Sequence, residues 1–337
     1  MLPRGCRALR LEEAAARAAL PARGRQAHRL GHGHRHLPRH ARPAAALARV
    51  LPDGTAVVQC GGADLGTGAY TVFTQVAADA LGMSHQKVRM EMGDSLLPLG
   101  PLAGGSMSTA TASPAIQGAA ASAREQLVKL AVADKASPLY GLAEKDVLTE
   151  DGRLFSRKDK SKGETYAQLL TRQQLPHVEG KGESAPKEED KKYSGHAFGA
   201  HFVEVRVDEA LGTARVSRVV STMAAGRILN AKTASSQISG GVIFGLGMAL
   251  TEETLRDPRN GRVMTADLAD YHVPVQADVP KIDVQFIEEE DKFVNPLGIK
   301  GIGEIATTGI AAAVANAVFH ATGKRIRELP ITLDKLL

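Results

Sequence analysis

The sequence of 337 residues contains no tryptophan, and aromatic residues make up only 4% of it. So few aromatic rings disfavour a nucleic-acid surface, which typically stacks bases on aromatic side chains. The two cysteines, Cys6 and Cys60, exclude a disulfide framework and a Cys-x-x-Cys pair. No apolar run reaches the roughly 18 residues that a membrane-spanning helix needs. We therefore expect no nucleic-acid partner and no membrane association.

Lysine is absent from residues 1–49, which hold 11 Arg, five of the eleven His and only two acids. These residues carry a formal charge of +9, whereas the remaining 288 residues carry −4. A basic nucleic-acid-binding or scaffolding protein acting through residues 1–49 is therefore an alternative hypothesis, and its binding would fall steeply with salt. The histidines permit two interpretations, a metal-binding tract or a disordered segment without selected roles.

The order of predicted elements mixes hairpins with helices, which favours an α+β fold of mixed layers over a parallel βαβ array. Alternating apolar residues predict a hairpin over 202–207 and 214–222. Residues 137–195 are the most polar region and are predicted to be an insertion, with an exposed charged loop over 180–192. Helical periodicity predicts the main helices. They cover about 72–81, 114–134, 231–254 and 306–321.

Three glycine-rich loops share one arrangement, in which an extended segment leads through glycines into a helix. The first loop is residues 61–68, the second is 103–109 and the third is 300–304. Glycine lets the backbone approach a ligand closely, and a helix N-terminus favours anions. No loop ends in Gly-Lys-Ser/Thr, and none is a strand-bounded GxGxxG followed by an acid, so the P-loop and dinucleotide-binding motifs are absent.

Glu304 is the one carboxylate in the third loop, between Gly303 and the start of a predicted helix. The helix dipole stabilises its ionised form. Two interpretations follow, a general base on an otherwise apolar loop or an ordinary first-turn acid.

The three loops, in this order, resemble the molybdenum-binding subunit of the xanthine oxidase family of molybdenum hydroxylases, closest to its bacterial aldehyde-oxidising branch. The similarity covers about residues 47–337. The stretches that carry it most strongly are ADLADYHVPVQADVP (266–280) and NPLGIKGIGEIATTGIAAAVANAVFHATGKRIRELPITLDKLL (295–337). The resemblance implies the second molybdopterin-binding domain of that family, within an α+β fold.

The resemblance also implies roles for individual residues. Glu304 matches the family's catalytic glutamate, and Gly303 lies against the metal centre. Gln237 contacts the cofactor. The molybdenum itself is held through the pterin, with no protein side chain as ligand. The remaining cofactor-binding residues belong to the first and second loops: Gly66, Thr67, Gly105, Ser106, Met107, Ser108 and Thr109.

In this family the reaction is the hydroxylation of an aldehyde or heteroaromatic carbon with oxygen from water. The resemblance implies molybdenum-molybdopterin, with the cytosine dinucleotide form as one option. It implies iron–sulfur clusters and FAD on partner subunits, because no cysteine array and no flavin domain is recognisable here. The family's first molybdenum-binding half is also missing, so we expect a truncated fragment of one subunit. The expected compartment is the cytoplasm, with export beside a partner subunit as the alternative.

The N-terminal segment has a separate explanation. Residues 31–42 can be encoded by codons that give a different peptide when the reading frame moves by one base. That peptide is Gly-Met-Ala-Thr-Ala-Thr-Tyr-Pro-Ala-Met-Arg, and it resembles a segment that the family has just before the turn at 52–54. We therefore predict that residues 1 to about 42 are a frame-shifted reading of the gene. On this hypothesis residues 1–46 are disordered or poorly packed, and one domain follows over 47–337.

Overall fold

The computed structural model describes residues 42–186, 195–291 and 293–337, together with the backbone of 26–38. It divides into two compact units where we expected one domain over 47–337. Unit A comprises Arg39–Gly195 and Glu290–Gly301, and unit B comprises Met1–Pro38, His196–Glu289 and Ile302–Leu337. Within the described ranges, no helix combines the length and the hydrophobicity that crossing a membrane requires.

The main sheet of unit A has four strands in the order β4-β3-β2-β8. β2 (Ala44–Val50) is antiparallel to β3 (Ala56–Gln59) and to β8 (Val178–Ser184). β4 (Val88–Glu91) is parallel to β3, and the crossover between them contains α1 (Ala69–Leu81). The first loop therefore lies where β3 leads into α1.

The second helix of unit A, α2 (Ser108–Ala133), packs on this sheet through an alanine-rich face. A Cβ atom on Gly180 or Gly182 of β8 would overlap the helix backbone, so the two glycines permit the close approach. The expectation of an exposed loop is therefore wrong for residues 180–184, whereas residues 187–192 lie outside the described part of the chain.

The polar region of unit A contains packed structure of its own. β5 (Val147–Glu150), β6 (Arg153–Ser156) and β7 (Gly163–Thr165) form an antiparallel sheet, followed by α3 (Tyr166–Arg172). The buried hydroxyl of Tyr166 donates to the carbonyl of Leu81 at 2.5 Å, which ties this sheet to the end of α1.

The sheet of unit B has the order β1-β9-β10-β11. β9 (His196–Asp208) and β10 (Thr213–Ala224) form the predicted hairpin, longer than expected at both ends. β11 (Lys281–Phe286) runs parallel to β10. β1 (Gln26–Pro38) pairs antiparallel with β9 along its whole length.

The backbone of β1 is paired as a strand within residues 1–46, the segment that we expected to be disordered or poorly packed. Strand pairing uses backbone N–H and C=O groups, which every residue except proline carries, so it does not require a side-chain pattern. Residues 1–25 and 39–41 lie outside the described residues. The frame-shifted origin of this text stays a prediction.

Two helices of unit B, α4 (Ala231–Leu250) and α5 (Thr307–Thr322), pack against each other. Gly241 and Gly245, one turn apart on α4, are required at this crossing. A Cβ on Gly241 would lie 2.7 Å from the Cβ of Ala306, and one on Gly245 would lie 2.5 Å from the Cβ of Ile310. The short α6 (Leu333–Leu336) closes the chain. This core fixes the start of α5, where Glu304 lies.

Candidate functional site

The first loop is organised by a side chain that the sequence did not single out. The carboxylate of Asp64 accepts the N–H groups of Gly66 at 2.9 Å, Gly68 at 3.2 Å and Tyr70 at 3.1 Å. It also accepts the hydroxyl of Thr67 at 3.2 Å. Burial raises the pKa of Asp64, but the hydrogen bonds outweigh it and hold the pKa below its usual value.

This arrangement changes what the first loop can bind. Its N–H groups at the start of α1 already bond an anionic side chain, so a phosphate there would meet the charge of Asp64. Gly66 and Thr67 remain exposed, and a Cβ on Gly66 would have no neighbour within 4 Å. The loop therefore offers exposed backbone to a ligand, and not the anion cradle that a helix start usually provides.

The second loop, residues 103–109, contains no acidic residue of its own. Gly105 and Ser106 both have positive φ angles, of 61° and 56°, before α2 begins at Ser108. No acid lies in the first turn of α2, and helix geometry leaves the first N–H groups without acceptors inside the helix. Met107 is buried and anchors the turn. The second loop thus combines a strained backbone with a helix start that favours an anion.

The beginning of the third loop packs on the second loop within unit A. A Cβ on Gly301 would overlap the carbonyl oxygen of Ser106 and lie 2.9 Å from its Cβ. The neighbouring Lys300, only 6% exposed in its side chain, forms an ion pair with Asp291 at 2.9 Å. The side-chain amide of Asn295 donates to the carbonyl of Ile299 at 2.7 Å and closes this turn.

The catalytic candidate Glu304 lies in unit B, at the rim of a cavity of about 280 Å³. Its carbonyl accepts the N–H of Thr307 at 3.2 Å, which starts α5. Gln237, half-buried on α4, lines the same cavity together with Gly303. Three of the predicted site residues, distant in sequence, therefore share one cavity because α4 and α5 cross closely.

The remaining cavity-lining residues were missed by sequence reasoning. They are Gly240, Gly241, Phe244 and Thr307. Phe244 is 66% exposed and forms an apolar wall. The signal that could have found them is the helical spacing of three or four residues that links Gln237, Gly240, Gly241 and Phe244 on one face of α4. Thr109, the last predicted residue of the second loop, is half-buried in the first turn of α2.

Comparison with known proteins identifies the family of this chain. A family model described as the molybdopterin cofactor-binding domain matches residues 12–280. The chain belongs to this family of molybdopterin cofactor-binding domains. The matched range begins inside the segment that we expected to be frame-shifted.

The chain is also similar to individual members of known enzymes. It is 36% identical over 301 residues to the aldehyde oxidoreductase molybdenum-binding subunit PaoC of Escherichia coli K12, covering 87% of this chain and 38% of that subunit. It is 33% identical over 301 residues to the xanthine dehydrogenase molybdenum-binding subunit of Escherichia coli O157:H7, covering 86% and 39%. These relatives are molybdenum-dependent oxidoreductases, which confirms the resemblance drawn from the loops.

A solved structure confirms the α+β fold. Quinoline 2-oxidoreductase from Pseudomonas putida 86 matches with a TM-score of 0.81 at 26% identity, over 98% of this chain and 43% of that one. The chain therefore spans about two-fifths of the length of the relatives it matches.

Proposed function

We propose that this chain is part of the molybdenum-binding subunit of an oxidoreductase that hydroxylates an aldehyde or heteroaromatic carbon with oxygen from water. The observation that carries the proposal is the placement of Glu304 beside Gln237 in one cavity at the crossing of α4 and α5. The names of the relatives support the reaction class.

The residues of unit A fit a phosphate-bearing pterin. The second loop presents Gly105 and Ser106 before a 26-residue helix, and no acid lies in its first turn. The dipole of such a helix favours a phosphate at its N-terminus, where Ser108 and Thr109 add hydroxyl groups. Gly301 lets the third loop approach Ser106 closely, which a larger residue would prevent. Gly66 and Thr67 contribute exposed backbone from the first loop.

When bound, the molybdenum centre supplies the oxidising power that accepts two electrons from the substrate. Glu304 acts as the general base and takes the proton that water loses as its oxygen joins the substrate carbon. The amide of Gln237 can donate to an oxygen in the same cavity, which Gly303 also lines. Phe244 offers an apolar face to a small flat substrate, consistent with a cavity of about 280 Å³.

The electrons must leave through groups that this chain does not provide. We propose that iron–sulfur and FAD subunits carry them, and that the pterin bears a cytosine dinucleotide. The rest of the molybdenum subunit, in the same or another chain, completes the cofactor site. We place the assembly in the cytoplasm, with export beside a partner subunit as the alternative.

A chimera tests this function, in which this chain replaces the matching 301 residues of Escherichia coli PaoC. Combined with the partner subunits of that enzyme, it should bind about one molybdenum per chimera and oxidise aldehydes. The chain alone should do neither. A folded chimera that binds the pterin but oxidises no aldehyde or heterocycle would contradict the proposed reaction.

A further inference from the structure

The segment between α4 and β11, residues 251–280, is long and irregular; we term it the strap. Its regular structure is one three-residue helical turn, Gln276–Asp278, and one bridge between Arg256 and Val263. Of its 30 residues, 22 are exposed and only Asp257 is buried. Structureless segments of this length within a domain are uncommon and usually functional.

The strap nevertheless has a defined conformation. The N–H of Met264 donates to the carbonyl of Leu255 at 2.8 Å. The hydroxyl of Thr265 donates to the carbonyl of Glu253 at 2.9 Å and accepts the N–H of Leu255 at 3.1 Å. Arg259 donates to Asp257 at 3.0 and 2.8 Å. The chain thus orders this segment with hydrogen bonds and without a hydrophobic core beneath it.

The strap exposes apolar side chains to solvent. Leu268 is 79% exposed. The others that are exposed are Leu255, Met264, Val273 and Val275. A monomeric protein rarely exposes several large apolar side chains in one ordered segment, and such surfaces mark interaction sites.

The strap is fixed to the helix that lines the Glu304 cavity. Within the strap, the hydroxyl of Tyr271 donates to Glu252 at 2.9 Å, two residues beyond the end of α4. Pro274 lies so close to α4 that a Cβ on Gly247 would be 2.9 Å from its Cδ. Phe244 and Met248, both exposed, lie on the same helical face as Gly247. The apolar surface therefore continues from the cavity wall onto the strap.

We propose that the strap is the docking surface for the part of the molybdenum-binding subunit that this chain does not contain, an inference that rests on the proposed function. Three-fifths of the length of the relatives has no counterpart here, since the chain covers 38% and 39% of them. The strap carries six acids and three arginines, one of which is paired with Asp257. The occupant is therefore a polypeptide surface that is apolar at its centre and basic at its rim.

The test compares the isolated chain with the PaoC chimera by hydrogen exchange. Amides of the strap should exchange at least tenfold more slowly in the chimera. Leu268→Glu should remove this protection and lower the melting temperature of the chimera, while leaving that of the isolated chain unchanged. The matched control is Leu211→Glu, which replaces a 65% exposed leucine in the β9–β10 turn. It should change neither the exchange of the strap amides nor the melting temperature of either protein.

Several outcomes would overturn the docking surface. One is a folded chimera whose strap exchanges as fast as in the isolated chain, and another is a Leu268→Glu chimera that behaves like wild type. A dimer of the isolated chain that Leu268→Glu dissociates would assign the strap to a second copy. Because these readouts are independent of turnover, a protected strap in a chimera without oxidase activity would contradict the proposed function alone.

Discussion

The first and second loops of unit A look alike in sequence and differ in how they are stabilised. Both lead through glycines into a helix, yet the first is held by its own carboxylate, Asp64. The second is held from outside, where Gly301 packs on Ser106 and the Lys300–Asp291 pair anchors the adjoining segment. The first loop therefore carries its own anionic side chain, whereas no acid lies in the second loop or in the first turn of its helix.

The largest loss of stability is expected when the Lys300–Asp291 ion pair, which supports the second loop from outside, is removed. Lys300→Met leaves the carboxylate of Asp291 half-buried without its cation, so we expect a loss of about 3–5 kcal/mol in the free energy of unfolding. Urea denaturation measures it. Lys87→Met is the control, because its pair with Asp151 is exposed and should contribute less than about 1 kcal/mol. Equal losses in both variants would contradict the buried anchor.

A second variant crowds the contact between the second and third loops. Gly301→Val places a side chain where the carbonyl of Ser106 lies, and overpacking of this kind costs about 1–3 kcal/mol. We expect the chimera to lose its molybdenum as well, measured by metal analysis. Gly104→Ala is the matched control, since its nearest neighbours are 3.9 and 4.0 Å away. Full molybdenum content in Gly301→Val would show that this contact does not shape the cofactor site.

A third variant removes the internal support of the first loop. Asp64→Ala leaves three N–H groups without their acceptor, and we expect a loss of about 1–2 kcal/mol at neutral pH. Because the native pKa of Asp64 is below its unfolded value, its carboxylate stabilises the fold above about pH 4 and loses this contribution as the pH falls through the native pKa.

The stability of Asp64→Ala should therefore fall less steeply than that of wild type below about pH 4. Asp64→Asn, which keeps one acceptor oxygen, should lose less than Asp64→Ala. Parallel pH profiles for wild type and Asp64→Ala would show that this carboxylate does not hold the loop.

The smallest effect concerns the strained backbone of the second loop. Ser106→Gly relieves the positive φ of 56° but adds freedom to the unfolded chain, so stability should change by less than about 1 kcal/mol. Loss of the hydroxyl should nevertheless weaken cofactor retention in the chimera. A stable variant with unchanged retention during dialysis would remove Ser106 from the binding residues.

The sequence predicted the helices, the hairpin and the position of Glu304 before a helix, because these depend on local periodicity and caps. It did not predict β8, because Gly180 and Gly182 read as loop residues until α2 is placed against them. It missed Asp64 and Lys300, whose roles depend on partners that the fold brings close. Glu304 and Gln237 could be paired only through the resemblance, since 66 residues separate them.

Glu304 is the general base in the proposed reaction, and Glu304→Gln in the chimera tests this role most directly. The variant keeps the shape of the side chain and should retain the molybdenum, while kcat for an aldehyde falls by at least about 100-fold, within the usual contribution of a general base. Glu209→Gln, an exposed acid in the β9–β10 turn, should leave kcat unchanged. A Glu304→Gln chimera with normal molybdenum content and wild-type kcat would contradict the claim.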